Sequence, residues 1–184
     1  MKKDEKSTPK KKFNSWPYVI LVLAITLSFS FGLLSEITLS NTTIFVAIIV
    51  ILIFIAISIL FDVIGLAVAS CSIDPFTAMA SRKIKGAKQA LILVKNADKI
   101  SSLCADVVGD VCGILAGAGG ASIVTKIAMN ATGFTPILIS SLVSAIIAGL
   151  TIFGKAIFKR YAINHCTKIT LRLAKFINIF TRKG

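Results

Sequence analysis

The chain has 184 residues, of which 55% are hydrophobic, and its 21 Lys and Arg outnumber 8 Asp and Glu to give a net charge of +13. So much apolar surface argues against a water-soluble domain and favours a membrane protein. The basic residues lie between the apolar runs, which indicates anionic lipid headgroups rather than nucleic acid as the partner.

The first apolar segment is predicted to be a transmembrane helix over residues 16–34. It is long for the core of a signal peptide and has no clear small-residue cleavage site, so we expect it to be retained. Residues 1–15, with six lysines, form a basic tail before it, and residues 35–42 form a short polar loop after it.

A second transmembrane helix is predicted over residues 43–69, longer than the ~20 residues that a span needs. Asp62 lies near its far end. Two interpretations stay open for this carboxylate: it reaches water at the membrane interface, or it has a role inside the helix bundle.

Residues 70–101 are predicted to form cytoplasmic juxtamembrane helices. Asp74 and Pro75 indicate a helix start, and Gly86 is expected to divide the segment into two short helices. A basic face and a broken apolar face predict that they lie in the membrane plane over anionic headgroups. The apolar face consists of Phe76, Met79, Ala87, Ala90, Leu91 and Val94.

A third transmembrane helix, over residues 102–128, carries the most informative pattern in the chain. At about 100° per residue, six small or acidic residues share one face. Small residues allow another helix to pack closely, so the carboxylates on this seam are predicted to point into the bundle, where intramembrane acids indicate function. The six residues are Asp106, Gly109, Asp110, Gly113, Gly117 and Gly120.

The fourth transmembrane helix is predicted over residues 136–153, followed by a basic amphipathic segment over residues 155–184 on the membrane surface. His165 is the single histidine and lies beside Cys166. No catalytic arrangement accompanies it, and none of the four cysteines has CxxC spacing, so we do not expect an enzyme.

The distribution of basic residues predicts the topology. Twenty of the 21 Lys and Arg lie before the first span, between the second and third spans, or after the fourth span; Lys126 is the exception. By the positive-inside rule, both termini are cytoplasmic. The expected fold is an all-α integral protein of the cell membrane with four transmembrane helices.

From about residue 61 to residue 180, the order of features resembles the transmembrane domain of the CNNM/CorC (CorB) magnesium transport family. The segments that carry the resemblance are FDVIGLAVASCS, SRKIKGAKQALILVKNADKISS, ADVVGDVCGILAG and LTIFGKAIFKRY. The resemblance implies a three-helix membrane domain over residues 43–154, preceded here by an extra helix. It also implies a homodimer and a Mg²⁺ ion held among helix polar groups. The family's CBS modules have no counterpart in this sequence.

The resemblance places the family's two asparagines at Asp106 and Asp110, and a family glutamate at Lys155. Two carboxylates suit Mg²⁺, which prefers oxygen ligands. One hypothesis is therefore a divalent-cation transporter in which Asp106 and Asp110 are ligands, Asp62 adds charge at the inner mouth, and the Gly109, Gly113 and Gly117 seam allows close helix approach.

The substitution at Lys155 supports a second hypothesis. Its ammonium could stand where the metal would be and pair with an aspartate, leaving a non-transporting scaffold or regulator that binds another membrane protein. Alternatively, Lys155 could extend to the headgroups from the cytosolic end of its helix. The sequence leaves these alternatives open.

Overall fold

The computed structural model describes residues 16–40, 42–128 and 135–181, which are helical apart from short connections and contain no strand. The predicted basic tail of residues 1–15 lies outside this description. The helices are α1 (Trp16–Ser40), α2 (Ile44–Ser70), α3 (Asp74–Ser81), α4 (Ala87–Lys95), α5 (Ala97–Ser101), a π-helical segment (Ser102–Gly109), α6 (Asp110–Ala128), α7 (Thr135–Asn164) and α8 (Cys166–Thr181).

Four of these stretches are long and apolar enough to cross a membrane, within the residues that the structure describes. They are Trp16–Ile37, Ile44–Ser70, the continuous run Ala97–Ile127 and Thr135–Asn164. Each stretch satisfies its backbone hydrogen bonds internally, as a lipid environment requires. The predicted all-α fold with four spans is confirmed, and the chain is a multi-pass membrane protein.

The second span is the centre of the bundle. Helix α2 packs against the π-helical segment, α6 and α7, whereas α1 packs on α6 and the π-helical segment. Ala47, Ile51 and Ile55 of α2 form a buried core with Ala116 and Ile123 of α6. Helices α1 and α7 expose most of their apolar side chains, as expected for surfaces that face lipid.

Contacts between connections show that consecutive spans run in opposite directions. The Lys99 ammonium lies 5.1 Å from the centroid of the Trp16 ring, so α1 begins beside α5. At the other end of the bundle, the Lys126 ammonium donates a hydrogen bond to the Thr42 carbonyl, next to the start of α2. The start of α1 therefore lies at the same end as α5, opposite Lys126.

Helices α3, α4 and α8 form a compact unit at the end of α2, which we term the juxtamembrane cap. Its core contains Val68 at the end of α2 together with Phe76, Ala90, Val94 and Ala174. The amide of Gln89 on α4 donates a 2.9 Å hydrogen bond to the Asn178 side chain on α8. Helices α4 and α8 are thus held together by both apolar and polar contacts.

The cap gives these helices a protein partner that the amphipathic pattern alone did not predict, and their place at the membrane surface stays a prediction. The apolar face predicted for residues 74–95 exists, and Phe76, Ala87, Ala90 and Val94 on it are buried. They are buried against α8 and the end of α2, because the amphipathic α8 offers a complementary apolar face. The chain passes from α3 to α4 through Gly86, whose positive φ of 86° explains the break predicted there.

Three helix boundaries differ from the sequence-based expectation. Helix α1 continues to Ser40, because residues 35–40 contain neither Gly nor Pro to end it. Helix α7 continues through Gly154 and Lys155 to Asn164, so Lys155 lies inside a long helix. The basic C-terminal helix begins only at Cys166, after the chain turns at His165.

We predict that Phe76→Ala opens the juxtamembrane cap while the membrane bundle persists. Phe76 has 0% exposure, and truncating a buried Phe costs about 3–5 kcal/mol. Amide hydrogen exchange in detergent should accelerate in α3 and α4. Ile92→Ala is the matched control, since Ile92 is 60% exposed on α4. Equal exchange in the two variants would show that this core does not hold the cap.

Candidate functional site

One ammonium group lies between two carboxylates contributed by different spans. Nζ of Lys155 on α7 is 3.8 Å from Oδ1 of Asp62 on α2 and 3.5 Å from Oδ1 of Asp110, the first residue of α6. The contact with Asp110 also meets hydrogen-bond geometry. We term these three side chains the Lys155 triad. They connect α2, α6 and α7 through charge.

The triad lies toward the end of the bundle that carries the juxtamembrane cap. Asp62 is about two turns, or roughly 12 Å, before the end of α2. The side chains of Lys155 and Asp62 are each 26% exposed, and that of Asp110 is 65% exposed. The attraction between the partly shielded charges of Lys155 and Asp62 is stronger than that of a pair in open water. With both carboxylates ionised and Lys155 protonated, the triad keeps one negative charge.

The backbone beside the triad has an unusual form. Residues Ser102–Gly109 form a π-helix, a rare structure that is frequent at functional sites. The fully buried Ser58 hydroxyl of α2 donates a 2.6 Å hydrogen bond to the Gly109 carbonyl, where the π-helix ends. A Cβ added at Gly109 would lie 4.0 Å from Nζ of Lys155, so this backbone borders the ammonium. The π-helix thus sets where Asp110 emerges.

Close packing holds the π-helical segment against α2. A Cβ added at Gly65 would lie 3.1 Å from the Ser101 carbonyl oxygen and 3.2 Å from the Ala105 backbone nitrogen. Since backbone atoms cannot move aside as a flexible side chain can, this position favours glycine. Gly65 and Ser58 therefore fix the register between α2 and the helix that carries Asp110.

The structure brings together only some of the predicted site residues. Asp62 and Asp110 meet at Lys155, but Asp106 is exposed and takes part in neither ion pair of the triad. Within a single chain, Asp110 contacts a neighbouring span through Lys155, whereas Asp106 lies on an exposed part of its helix. The buried side of α6 instead presents Val111, Leu115 and Ala116, whose larger apolar area favours burial.

The glycine seam is divided between the two sides of its helix. Gly120 packs against Ile147 of α7, and Gly109 borders Ser58 and Lys155. A Cβ added at Gly113 or Gly117 would meet nothing within 4 Å. Within one chain, Gly113 and Gly117 therefore have no close neighbour, and the close helix approach expected there stays a prediction.

The positions of these side chains show whether they could bind the expected Mg²⁺ as they stand. Among the described residues, no three His, Cys, Asp or Glu side chains come together as a metal-binding group. The Lys155 ammonium lies between the Asp62 and Asp110 carboxylates. As these side chains stand, they do not fit a bound Mg²⁺, which would have to displace the Lys155 ammonium.

The sequence did not lead us to predict a role for Ser58, the close packing at Gly65, or the π-helix. Ser58 had a detectable signal, because it is a hydroxyl residue within an apolar run, one turn before Asp62 on the same helix face. The π-helix had no comparable signal, since its composition resembles that of the α-helix that follows.

No protein-family model, curated protein or solved structure matches this chain. The resemblance to the CNNM/CorC family therefore remains a prediction.

We predict opposite effects for alanine at two glycines near the triad. Gly65→Ala should lower the free energy of unfolding by about 1–3 kcal/mol, because its methyl group overpacks against backbone. Gly113→Ala should raise it by up to about 1 kcal/mol, because the site is open and alanine favours helix. Thermal unfolding in detergent compares the two variants. Destabilisation by Gly113→Ala matching that of Gly65→Ala would contradict the packing described here.

Proposed function

We propose that this protein is a non-transporting scaffold or regulator of the cell membrane that binds another membrane protein. The observation that carries this proposal is the position of the Lys155 ammonium between Asp62 and Asp110. The carboxylates that would attract a divalent cation are joined to a positive charge that cannot diffuse away. The triad then acts as an internal connection between three spans.

Competition between Lys155 and Mg²⁺ for the two carboxylates favours this function over transport. A Mg²⁺ ion needs oxygen ligands in near-octahedral order and loses its water reluctantly. To bind between these carboxylates, it would also have to move Lys155 to a less favourable position. Breaking a shielded ion pair by removing one partner leaves a costly uncompensated charge. Lys155 therefore stabilises the bundle in the absence of metal.

The outward side of α6 is the proposed docking face for a partner helix. Gly113 and Gly117 are four residues apart, and neither would have an added Cβ in contact within this chain. Such spacing lets a second transmembrane helix approach closely. Asp106 and the exposed part of Asp110 lie along the same side, where they favour a partner with a basic residue at that depth. A second copy, forming a homodimer, is the other candidate partner for this face.

The cap is proposed to face the cytoplasm, with both chain termini on that side. Basic side chains between α3 and α4 are exposed, whereas the apolar residues of these helices fill the cap core. Such charges attract anionic headgroups of the inner leaflet by about 1 kcal/mol each near the surface. The exposed basic residues of this region are Arg82, Lys83, Lys85 and Lys88.

Magnesium transport by a homodimer is the second candidate function. The observation that favours it is the convergence of Asp62 and Asp110, from different spans, on one point. Transport would require Lys155 to withdraw, so that the carboxylates became metal ligands. The two functions thus differ in one property: whether Mg²⁺ stabilises the protein while Lys155 is present.

We predict that Mg²⁺ leaves the thermal stability of the wild-type protein unchanged and stabilises Lys155→Met. Methionine keeps the length of the side chain but removes the charge, which leaves the two carboxylates facing each other. A cation that binds only the folded state then stabilises it by about 2.7 kcal/mol at 100 times its Kd. The matched control is Lys159→Met, because Lys159 is exposed one turn further along α7. This control should respond like the wild type.

The same unfolding measurement can contradict the proposal. Stabilisation of the wild type by Mg²⁺, lost in Asp110→Asn and absent with the same concentration of K⁺, would place a divalent cation at the triad. That result would favour the transport function. Matching responses of Lys155→Met and Lys159→Met would show that Lys155 does not compete with a cation.

A further inference from the structure

Two cysteines meet at the junction between the bundle and the juxtamembrane cap. Cys71 directly follows α2, and Cys166 is the first residue of α8. Sγ of Cys71 lies 3.5 Å from Oγ1 of Thr170, which is one helical turn after Cys166. Residues four apart share a helix face, so Cys166 lies on the same face of α8 as Thr170, and its sulfur is 3.9 Å from Oγ1 of Thr167.

Both thiols of the pair are partly accessible to a small oxidant. Both cysteines are half-buried, so they are shielded by the cap but not sealed inside it. Burial, with a smaller contribution from Cys166, raises the pKa of the Cys71 thiol to about 12. At neutral pH, Cys71 therefore stays protonated.

We propose that Cys71 and Cys166 are a redox-reactive thiol pair that a peroxide converts into a disulfide. The Cys166 thiolate attacks one oxygen of hydrogen peroxide and the O–O bond breaks. The departing hydroxide takes up the proton that Cys166 released and becomes water, leaving a sulfenic acid on Cys166. The Cys71 sulfur then attacks the Cys166 sulfur, and its proton leaves with the sulfenic hydroxyl as a second water. Two thiols are oxidised and one peroxide is reduced.

The disulfide would link the cap covalently to the bundle. It would join the end of α2 to the start of α8, two helices that already pack together. The chain between the two cysteines includes Asp110 and Lys155, so the closed loop would contain two members of the triad. The proposal rests on the thiol geometry and is independent of the function proposed above.

The test is peroxide treatment of the purified full-length protein in detergent, followed by alkylation and peptide mapping. We expect Cys71 and Cys166 to lose alkylation together, a peptide joining them to appear, and dithiothreitol to restore both thiols. Cys166→Ser should leave Cys71 open to alkylation after peroxide. Cys104→Ser is the control and should retain the joined peptide.

Three results would overturn the proposal. Both cysteines could remain alkylated after peroxide, Cys166 could oxidise to the sulfinic acid without joining Cys71, or the disulfide could form with another cysteine or a second molecule. Because the wild-type protein itself is mapped, the test does not depend on the folding of a variant.

Discussion

The arrangement of the bundle depends on the pairing of charged side chains that lie within three of its apolar spans. An isolated carboxylate or ammonium within a membrane span is costly, so such groups are expected to pair with one another. Lys155 pairs with Asp62 and Asp110 and thereby connects α7, α2 and α6. Lipid gives packed helices little hydrophobic reason to associate, so a polar connection between three spans has a large influence on their arrangement.

The backbone near the triad is shaped to allow this pairing. Gly65 brings α2 against the π-helical segment, and Ser58 binds the carbonyl of Gly109. On the other side of α2, a Cβ added at Gly154 would collide with the Ile59 side chain, so the glycine beside Lys155 lets α7 approach. Close contacts thus lie next to all three charged residues, and a change in any of them would alter the distances within the triad.

The sequence allowed the membrane spans and the apolar face of residues 74–95 to be predicted, because both follow directly from the period and length of apolar runs. The same pattern could not distinguish a lipid surface from a protein core as the partner of that face. Apolar residues such as Phe76 and Ala90 are expected on the helix face whether it contacts lipid or a protein core. The choice depends on α8, which is distant in sequence and meets α4 only in the folded protein.

The candidate site was predictable only in part for a related physical reason. Intramembrane charge identified Asp62, Asp110 and Lys155, but their meeting depends on the register of three separate spans. The four-residue spacing of Asp106 and Asp110 assigned them correctly to one side of the helix. It could not show that Asp110 meets Lys155 whereas Asp106 stays exposed, because the buried side of the helix is set by the larger neighbouring residues Val111 and Leu115.

The most direct test of the central claim is a double-mutant cycle between Lys155 and each aspartate, measured by reversible unfolding in detergent. The variants are Lys155→Met, Asp62→Asn, Asp110→Asn and the two double mutants that contain Lys155→Met. Groups in direct contact show coupling free energies of about 0.5–3 kcal/mol, so both cycles should give favourable coupling in that range. Additive effects in both cycles would show that the ammonium does not hold the two carboxylates together.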